Sequence, residues 1–146
     1  MKYSYGQKFV CVLFAFFMII SLCIIPAFAR SSPTLDAYRA SCTAAHNGRI
    51  NITIDVSGVN FMDKIGATTI YLYESSDGEY FTLAKIFYAS AWPAMMATNT
   101  NSLFVTPVYY PGTVGKYYAA TVYFYAELNG VSDTKKYETA SVRAIS

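Results

Sequence analysis

The sequence has 146 residues, 54% of them hydrophobic and 14% charged. Lys2 and Lys8 are the only charges in the first 29 residues, so a chain cut after Ala29 keeps 117 of the 146 residues, with nine Lys/Arg against nine Asp/Glu. That balance argues against a basic nucleic-acid surface and against a polybasic membrane patch, both of which need excess cations, and the length suits one domain.

The beginning of the chain has the order of an export signal. Lys2 and Lys8 make a cationic start, residues 9–28 are nearly all apolar, and Ala27-Phe28-Ala29 places small residues at a signal-peptidase cut. The expectation is a signal helix over 1–29, a tether over 30–37 containing Ser31-Ser32-Pro33-Thr34, and a folded domain over 38–146 that is secreted. The alternative is an uncleaved anchor, since residues 9–28 reach the ~20 apolar residues that span a bilayer; Pro26 and the Ala-Phe-Ala sequence favour cleavage. A lipoprotein reading of Cys23 is opposed by Leu22, which stands where a small residue is expected. Cys11 and Cys23 leave with the signal, so Cys42 remains alone and no internal disulfide is expected. It reads as a small buried hydrophobe rather than a reactive thiol.

After the tether the hydrophobic period is two. Ala40, Cys42 and Ala44 alternate with Ser41, Thr43 and Ala45, and Asn47-Gly48 supplies a hairpin turn in which both residues tolerate positive φ. Ile50, Ile52, Ile54 and Val56 then alternate with Arg49, Asn51, Thr53 and Asp55, the pattern of a strand with one face on a core. Ser57-Gly58 is read as ending that strand, and the connection 59–65 carries Phe61 as a core plug. Residues 68–74 form the next strand, Ser76-Asp77-Gly78 turns it, and 79–88 returns. Residues 89–100, with Trp92-Pro93 and Met95-Met96, read as a crossing loop between two sheets. A strand over 103–109 contains Pro107, which lacks an N–H and therefore suits an edge or a bulge. Pro111-Gly112 and Gly115 turn the chain. Tyr118, Ala120, Val122, Phe124 and Ala126 then face one way, Asn129-Gly130 closes a hairpin, and 131–144 is the returning strand. About seven short antiparallel strands with regular turn signals and no helical period predict an all-β immunoglobulin-like sandwich.

The row Tyr118-x-Ala120-x-Val122-x-Phe124-x-Ala126 with Asn129-Gly130 and Ser132 resembles the penultimate strand and last turn of fibronectin type III-like domains. Lys64-Ile65-Gly66-Ala67, Ile70-Tyr71-Leu72-Tyr73-Glu74-Ser75, Met95-Met96 and Gly112-Thr113-Val114-Gly115-Lys116-Tyr117-Tyr118 resemble a family of small secreted proteins of Gram-positive, clostridium-like bacteria. The resemblance implies the sandwich fold and export; it implies no activity. The two inter-sheet cysteines of antibody domains are absent, which points away from that branch.

Catalytic residue types are scarce. His46 is the single histidine and lies beside the Asn47-Gly48 turn, with no nucleophile motif to match it. One His and one Cys after the cut do not make a tetrahedral zinc site. Asp55, Asp63, Glu74, Asp77, Glu79, Glu127 and Asp133 could supply a glycosidase pair, but most fall at turns or outward strand positions, where no cleft would tune one as an acid. Asp77 and Glu79 are too few oxygen ligands to specify calcium. Asn51-Ile52-Thr53 matches a glycosylation sequon inside a strand and is given no role, and Lys135-Lys136 reads as a solvated pair. No cofactor is implied.

Tyrosine departs from average usage: twelve of the fourteen lie beyond residue 29. If Ile70 and Leu72 face a core, Tyr71 and Tyr73 face out; if their strand neighbours the one carrying Tyr123 and Tyr125, the four phenols form one aromatic patch. Tyrosine gives a large rigid contact with a polar tip, suited to protein or polysaccharide partners, although it is also a good strand residue in its own right. Trp92 is a second candidate contact, or a cap on one end of the core. The reading is a secreted, non-enzymatic binding or adhesion module; the alternatives are a structural or self-assembling extracellular protein and, more distantly, a carbohydrate-active enzyme.

Overall fold

The computed structural model describes residues 32–146. The signal segment 1–29, with its expected helix and cut, and the anchor alternative at 9–28 lie outside the described residues. Seven strands follow in order: β1 (Leu35–Ala44), β2 (Arg49–Ser75), β3 (Thr82–Tyr88), β4 (Met96–Pro111), β5 (Tyr117–Leu128), β6 (Val131–Glu138) and β7 (Val142–Arg143), with a 3-10 turn at Pro93–Met95 between β3 and β4. Every pairing is antiparallel and all seven belong to one hydrogen-bonded sheet. The period-two pattern thus folds as an all-β antiparallel protein.

The sheet is organised by β2, which runs for 27 residues through what the sequence divides into strand, connection and strand. Its first half pairs with β1 on one side and with β4 on the other, as Cys42, Ile52 and Val108 illustrate. Its second half pairs with β5 on one side and with β3 and the start of β4 on the other. Ser57-Gly58 does not end the strand; a bulge between Ser57 and Met62 absorbs the irregularity instead. Phe61 is therefore not a core plug: it is 70% exposed, and Met62, 1% exposed, takes the buried place. Counting the alternation onward from Val56 assigns the inward position to Met62, which keeps the parity of Ile50, Ile52 and Ile54.

The inward rows of both halves meet in one core. Tyr38 of β1 has its ring centroid 5.7 Å from Phe124 of β5 and 6.4 Å from Tyr137 of β6. Tyr110 of β4 lies 6.0 Å from Tyr118 of β5. None of these pairs is joined by the strand registers, so the contacts are made by side chains alone. Ile50, Ile52, Ile54, Ile70, Leu72, Val122 and Phe124 are fully buried there, each contributing about 1.5–3 kcal/mol of hydrophobic stabilisation. Cys42 is a free, half-buried thiol packed against this core, and burial pushes it up to about 12.

Local chemistry sets the turns. Asn47 and Gly48 have φ of 62° and 75°, and Asn129 and Gly130 have 51° and 77°; two successive positive φ values match the twist of antiparallel hairpins. Pro107 sits at a shift of register between β2 and β4, on a strand paired along one edge only. The expected crossing loop is shorter than its sequence reading, because β4 begins at Met96 and pairs with Gly66. The fold likewise begins before Tyr38. Leu35 pairs with Gly58, the Val59 N–H donates to the Thr34 carbonyl at 3.0 Å, and Thr34 Oγ1 donates to the Ala126 carbonyl at 3.3 Å. The returning strand is interrupted after Glu138, where Thr139 donates its N–H to the Ala120 carbonyl and accepts the Ala120 N–H on Oγ1, both at 2.9 Å; β7 then resumes the pairing with β5.

Candidate functional site

Because Ile70 and Leu72 are fully buried, alternation turns Tyr71 and Tyr73 to the opposite side of β2; Val122, Phe124 and Ala126 do the same for Tyr123 and Tyr125 on β5. The register sets Tyr71 opposite Thr121 and Thr69 opposite Tyr123. The two tyrosines are thus diagonal neighbours, with ring centroids 5.8 Å apart and planes at 68°. This edge-to-face arrangement is a favoured one for aromatic rings. Tyr73 stands opposite Ala119, and Tyr125 opposite Gly66, on the same face. All four rings are half-buried, since each is partly covered by its neighbours on the sheet.

The face continues onto the flanking strands. On β3, Leu83 is opposite Tyr73, Ile86 opposite Tyr71 and Tyr88 opposite Thr69; Leu83 and Tyr88 are 51% and 49% exposed. The sequence reading missed these three. A bulge between Leu72 and Tyr73 disturbs the alternation of β3, so a strict period does not assign Leu83 and Ile86 to one side. On β6, Lys136 is opposite Tyr123 and Glu138 opposite Thr121. Lys136 Nζ donates to Glu138 Oε1 at 2.8 Å, which raises the lysine above its ordinary range.

Tyr125 differs from the other three. Its hydroxyl donates to Glu127 Oε2 at 2.6 Å, and Lys64 Nζ approaches the same oxygen at 3.4 Å. The hydrogen bond to Glu127 raises the phenol, and the same bond, then that from Lys64, lowers the carboxyl. Tyr125 is held by its own chain, whereas the Tyr71, Tyr73 and Tyr123 hydroxyls make no hydrogen bond among the described residues.

Trp92 is not brought to this face. It precedes the 3-10 turn, 39% exposed, with its ring 5.4 Å from Phe87 at 71°. Phe87 is 2% exposed and lies opposite the buried Ile70, so it belongs to the core-facing row of β3. Met95, fully buried, closes the core beside it.

The remaining candidates are dispersed. The exposed His46 has Nδ1 3.3 Å from the Ser146 main-chain oxygen. Glu74 accepts from Lys116 Nζ at 2.9 Å, Asp133 lies 3.4 Å from Lys135 Nζ, and Asp63 accepts the Asn129 N–H at 2.7 Å. Asp77 caps its own hairpin, accepting from the Glu79 and Tyr80 amides at 2.9 and 3.0 Å. Among the described residues no three His, Cys, Asp or Glu side chains are grouped so as to hold a metal ion, and no helix is long and apolar enough to cross a membrane. Neither a scan against protein-family models nor a search of curated proteins finds a match for this chain.

Proposed function

We propose that this chain is a secreted, non-enzymatic β-sandwich of the immunoglobulin-like or fibronectin type III-like kind, and that it binds a partner through the face built by Tyr71, Tyr73, Tyr123 and Tyr125. The two-layer reading is supported by Tyr38 packing on Phe124 without backbone pairing between β1 and β5. Export is supported by the cationic, apolar and Ala-x-Ala order of the first 29 residues. The observation that carries the binding reading is the edge-to-face Tyr71–Tyr123 pair on the outer side of β2 and β5, flanked by exposed Leu83 and Tyr88. Rigid aromatic rings lose little side-chain entropy on binding, and contiguous exposed apolar surface is characteristic of interaction sites. A protein partner is preferred to a polysaccharide, because rings tilted at 68° do not form the coplanar platform on which successive sugar rings stack. Trp92 offers a separate loop contact on the other side of β3.

Replacing Tyr71 and Tyr123 by Ser tests the reading. Partners captured by the unaltered protein in pull-down or on a glycan array are lost by the double variant; retention of every partner refutes the face. The second reading, self-assembly, rests on a different observation. β4 is unpaired along its outer edge and carries Phe104 at 76% exposure, and an open edge with an apolar side chain invites pairing between copies. Sedimentation over a range of concentrations separates the two, since a persistent monomer rejects assembly.

A further inference from the structure

A second site is built at the opposite end of β2, where its first residues meet the end of β4. His46, Asn47, Arg49, Tyr109, Tyr110 and Pro111 line a cleft of about 370 Å³, toward the small end of the usual range for ligand sites. Its walls are fixed by main chain. The Ala45 N–H donates to the Arg49 carbonyl at 2.7 Å, the Gly48 N–H to the Ile145 carbonyl at 2.8 Å, and the Gly112 N–H to the Gly48 carbonyl at 3.1 Å. Gly48 is required for this closure: at φ 75° a Cβ there would lie 2.4 Å from the Gly112 carbonyl oxygen. Pairing of Arg49 with Pro111 and of Asn51 with Tyr109 then holds the guanidinium-bearing residue on the same face as the Tyr109 phenol.

The polar groups of this cleft have a definite chemistry. No Asp or Glu side chain lines it, and the Ser146 main-chain oxygen approaches His46. Arg49 is exposed and, like Arg39 and Lys85, makes no ion pair or side-chain hydrogen bond among the described residues, so its guanidinium is open to a ligand. A guanidinium presents a planar fork that matches a carboxylate with two parallel hydrogen bonds. His46 supplies the complement. Its Nδ1 faces the Ser146 oxygen, which can only accept, so Nδ1 donates there and Nε2 is left free to meet a hydroxyl, which can donate or accept. Tyr109, 58% exposed, adds a flat apolar ring with a polar tip.

A donor fork for a carboxylate, a ring nitrogen for a hydroxyl and an aromatic wall together describe the needs of one ligand class. We infer that this cleft binds an acidic sugar residue, a uronic acid or its equivalent, with the carboxylate on Arg49, a ring hydroxyl on His46 Nε2 and the C–H face against Tyr109. The site is independent of the tyrosine face of β2 and β5.

The test is a titration of the purified protein, followed by amide chemical shifts, with a galacturonic acid trimer, a matched neutral galactose trimer and inorganic phosphate. The acidic trimer is expected to shift His46, Arg49 and Tyr109 saturably, and Arg49→Gln to weaken that binding about tenfold or more, the loss expected for a charge-assisted pair. Tyr71→Ser is expected to leave it unchanged, which separates this site from the proposed partner face. Equal binding of the neutral trimer, or phosphate alone reproducing the full affinity, overturns the acidic-sugar assignment. Unaltered affinity in Arg49→Gln, or no shift in these residues up to ~10 mM ligand, where even weak single-sugar sites are occupied, overturns the site. Should Arg49→Gln lose a dispersed spectrum, Tyr109→Ala, at an exposed ring, carries the same comparison.

Discussion

The hydroxyl of the fully buried Tyr118 donates to Glu74 Oε2 at 3.3 Å while accepting the Thr113 N–H at 2.8 Å. One phenol thereby ties the turn before β5 to the end of β2, and Lys116 reinforces the tie through Glu74 Oε1 at 2.9 Å. Removing the oxygen takes the partner from the Thr113 amide, at an exposed turn, and a donor from the half-buried Glu74. Tyr118→Phe is expected to fold with the ring in place but to lose about 0.5–1.5 kcal/mol, the net worth of hydrogen bonds whose freed partners water can reach. Urea denaturation measures it; an unchanged midpoint contradicts the anchoring role.

Stability is expected to fall in acid, with the direction set by carboxyls held low in the fold. Asp77 is brought to about 2 from its ordinary 3.8, first by the Tyr80 amide, then by the Glu79 amide and the Ser75 hydroxyl. Glu74 is lowered from 4.5 chiefly by its hydrogen bond from Lys116. A carboxyl lowered on folding stabilises fully above its unfolded pKa, and that contribution disappears as pH falls through the folded one. The melting temperature should therefore decline as pH drops below the ordinary carboxylate range and continue declining toward about 2. Asp77→Asn keeps an oxygen for the two amides but removes the titration, so it should flatten the lowest part of the profile. A parallel decline in that variant contradicts the assignment to Asp77.

The residues that organise the hairpins and the tyrosine face are legible in the sequence, because both depend on near neighbours. Asn47-Gly48 and Asn129-Gly130 require positive φ locally, and the side taken by Tyr71 follows from Ile70 and Leu72. What escapes is decided by distant partners. β2 continues through Ser57-Gly58 because β4 pairs along it on both sides of the bulge, and no local signal announces a partner that lies tens of residues further along the chain. The same bulge lies between Phe61 and the expected core. The cleft joins Arg49 to Tyr109 and Pro111 through that long-range register, so neither end of it looks like half of a site.

The exchange of Phe61 for Met62 is directly testable. Met62 is 1% exposed and Phe61 70%. Met62→Ala should cost about 2–5 kcal/mol through lost burial and the cavity left behind, whereas Phe61→Ser, at a site making little contact, should stay within about 0.5 kcal/mol of the unaltered protein. Chemical denaturation of the two variants decides; a larger loss from Phe61→Ser would return the aromatic ring to the core.

Gly66 is the closest approach between β2 and the 3-10 turn. A Cβ added there would fall 2.1 Å from the Met95 carbonyl oxygen and 2.8 Å from the Met96 Cα, and the backbone φ is 155°. Neither neighbour is a side chain that could swing away. Gly66→Ala is expected to destabilise by about 3 kcal/mol or more, as a backbone clash at an unfavourable dihedral does. It should also loosen Trp92, whose intrinsic fluorescence reports on the adjoining turn as the only tryptophan. Gly58→Ala is the informative contrast, because its Cβ meets only the flexible Met62 side chain, at 2.5 Å from Cγ, and a smaller loss is expected. Equal losses in the two variants would remove the distinction between main-chain and side-chain crowding.

Tyr71 and Tyr123 should behave as one unit rather than as two independent surface residues. Their rings meet edge to face at 5.8 Å on diagonal positions of β2 and β5, so truncating either exposes part of the other. A double-mutant cycle with Tyr71→Ala and Tyr123→Ala is expected to give a favourable coupling of about 0.5–1 kcal/mol in unfolding free energy. The corresponding cycle between Tyr71 and Trp92, on opposite sides of β3, should add within about 0.5 kcal/mol. The contrast matters for function. If the tyrosines pre-order one another, each single substitution weakens partner binding by more than its own contact area accounts for, since the ring left behind loses its fixed orientation. Additive effects in the Tyr71–Tyr123 cycle would mean that the rings stand apart in solution, and the face would then have to be read as four separate strand residues.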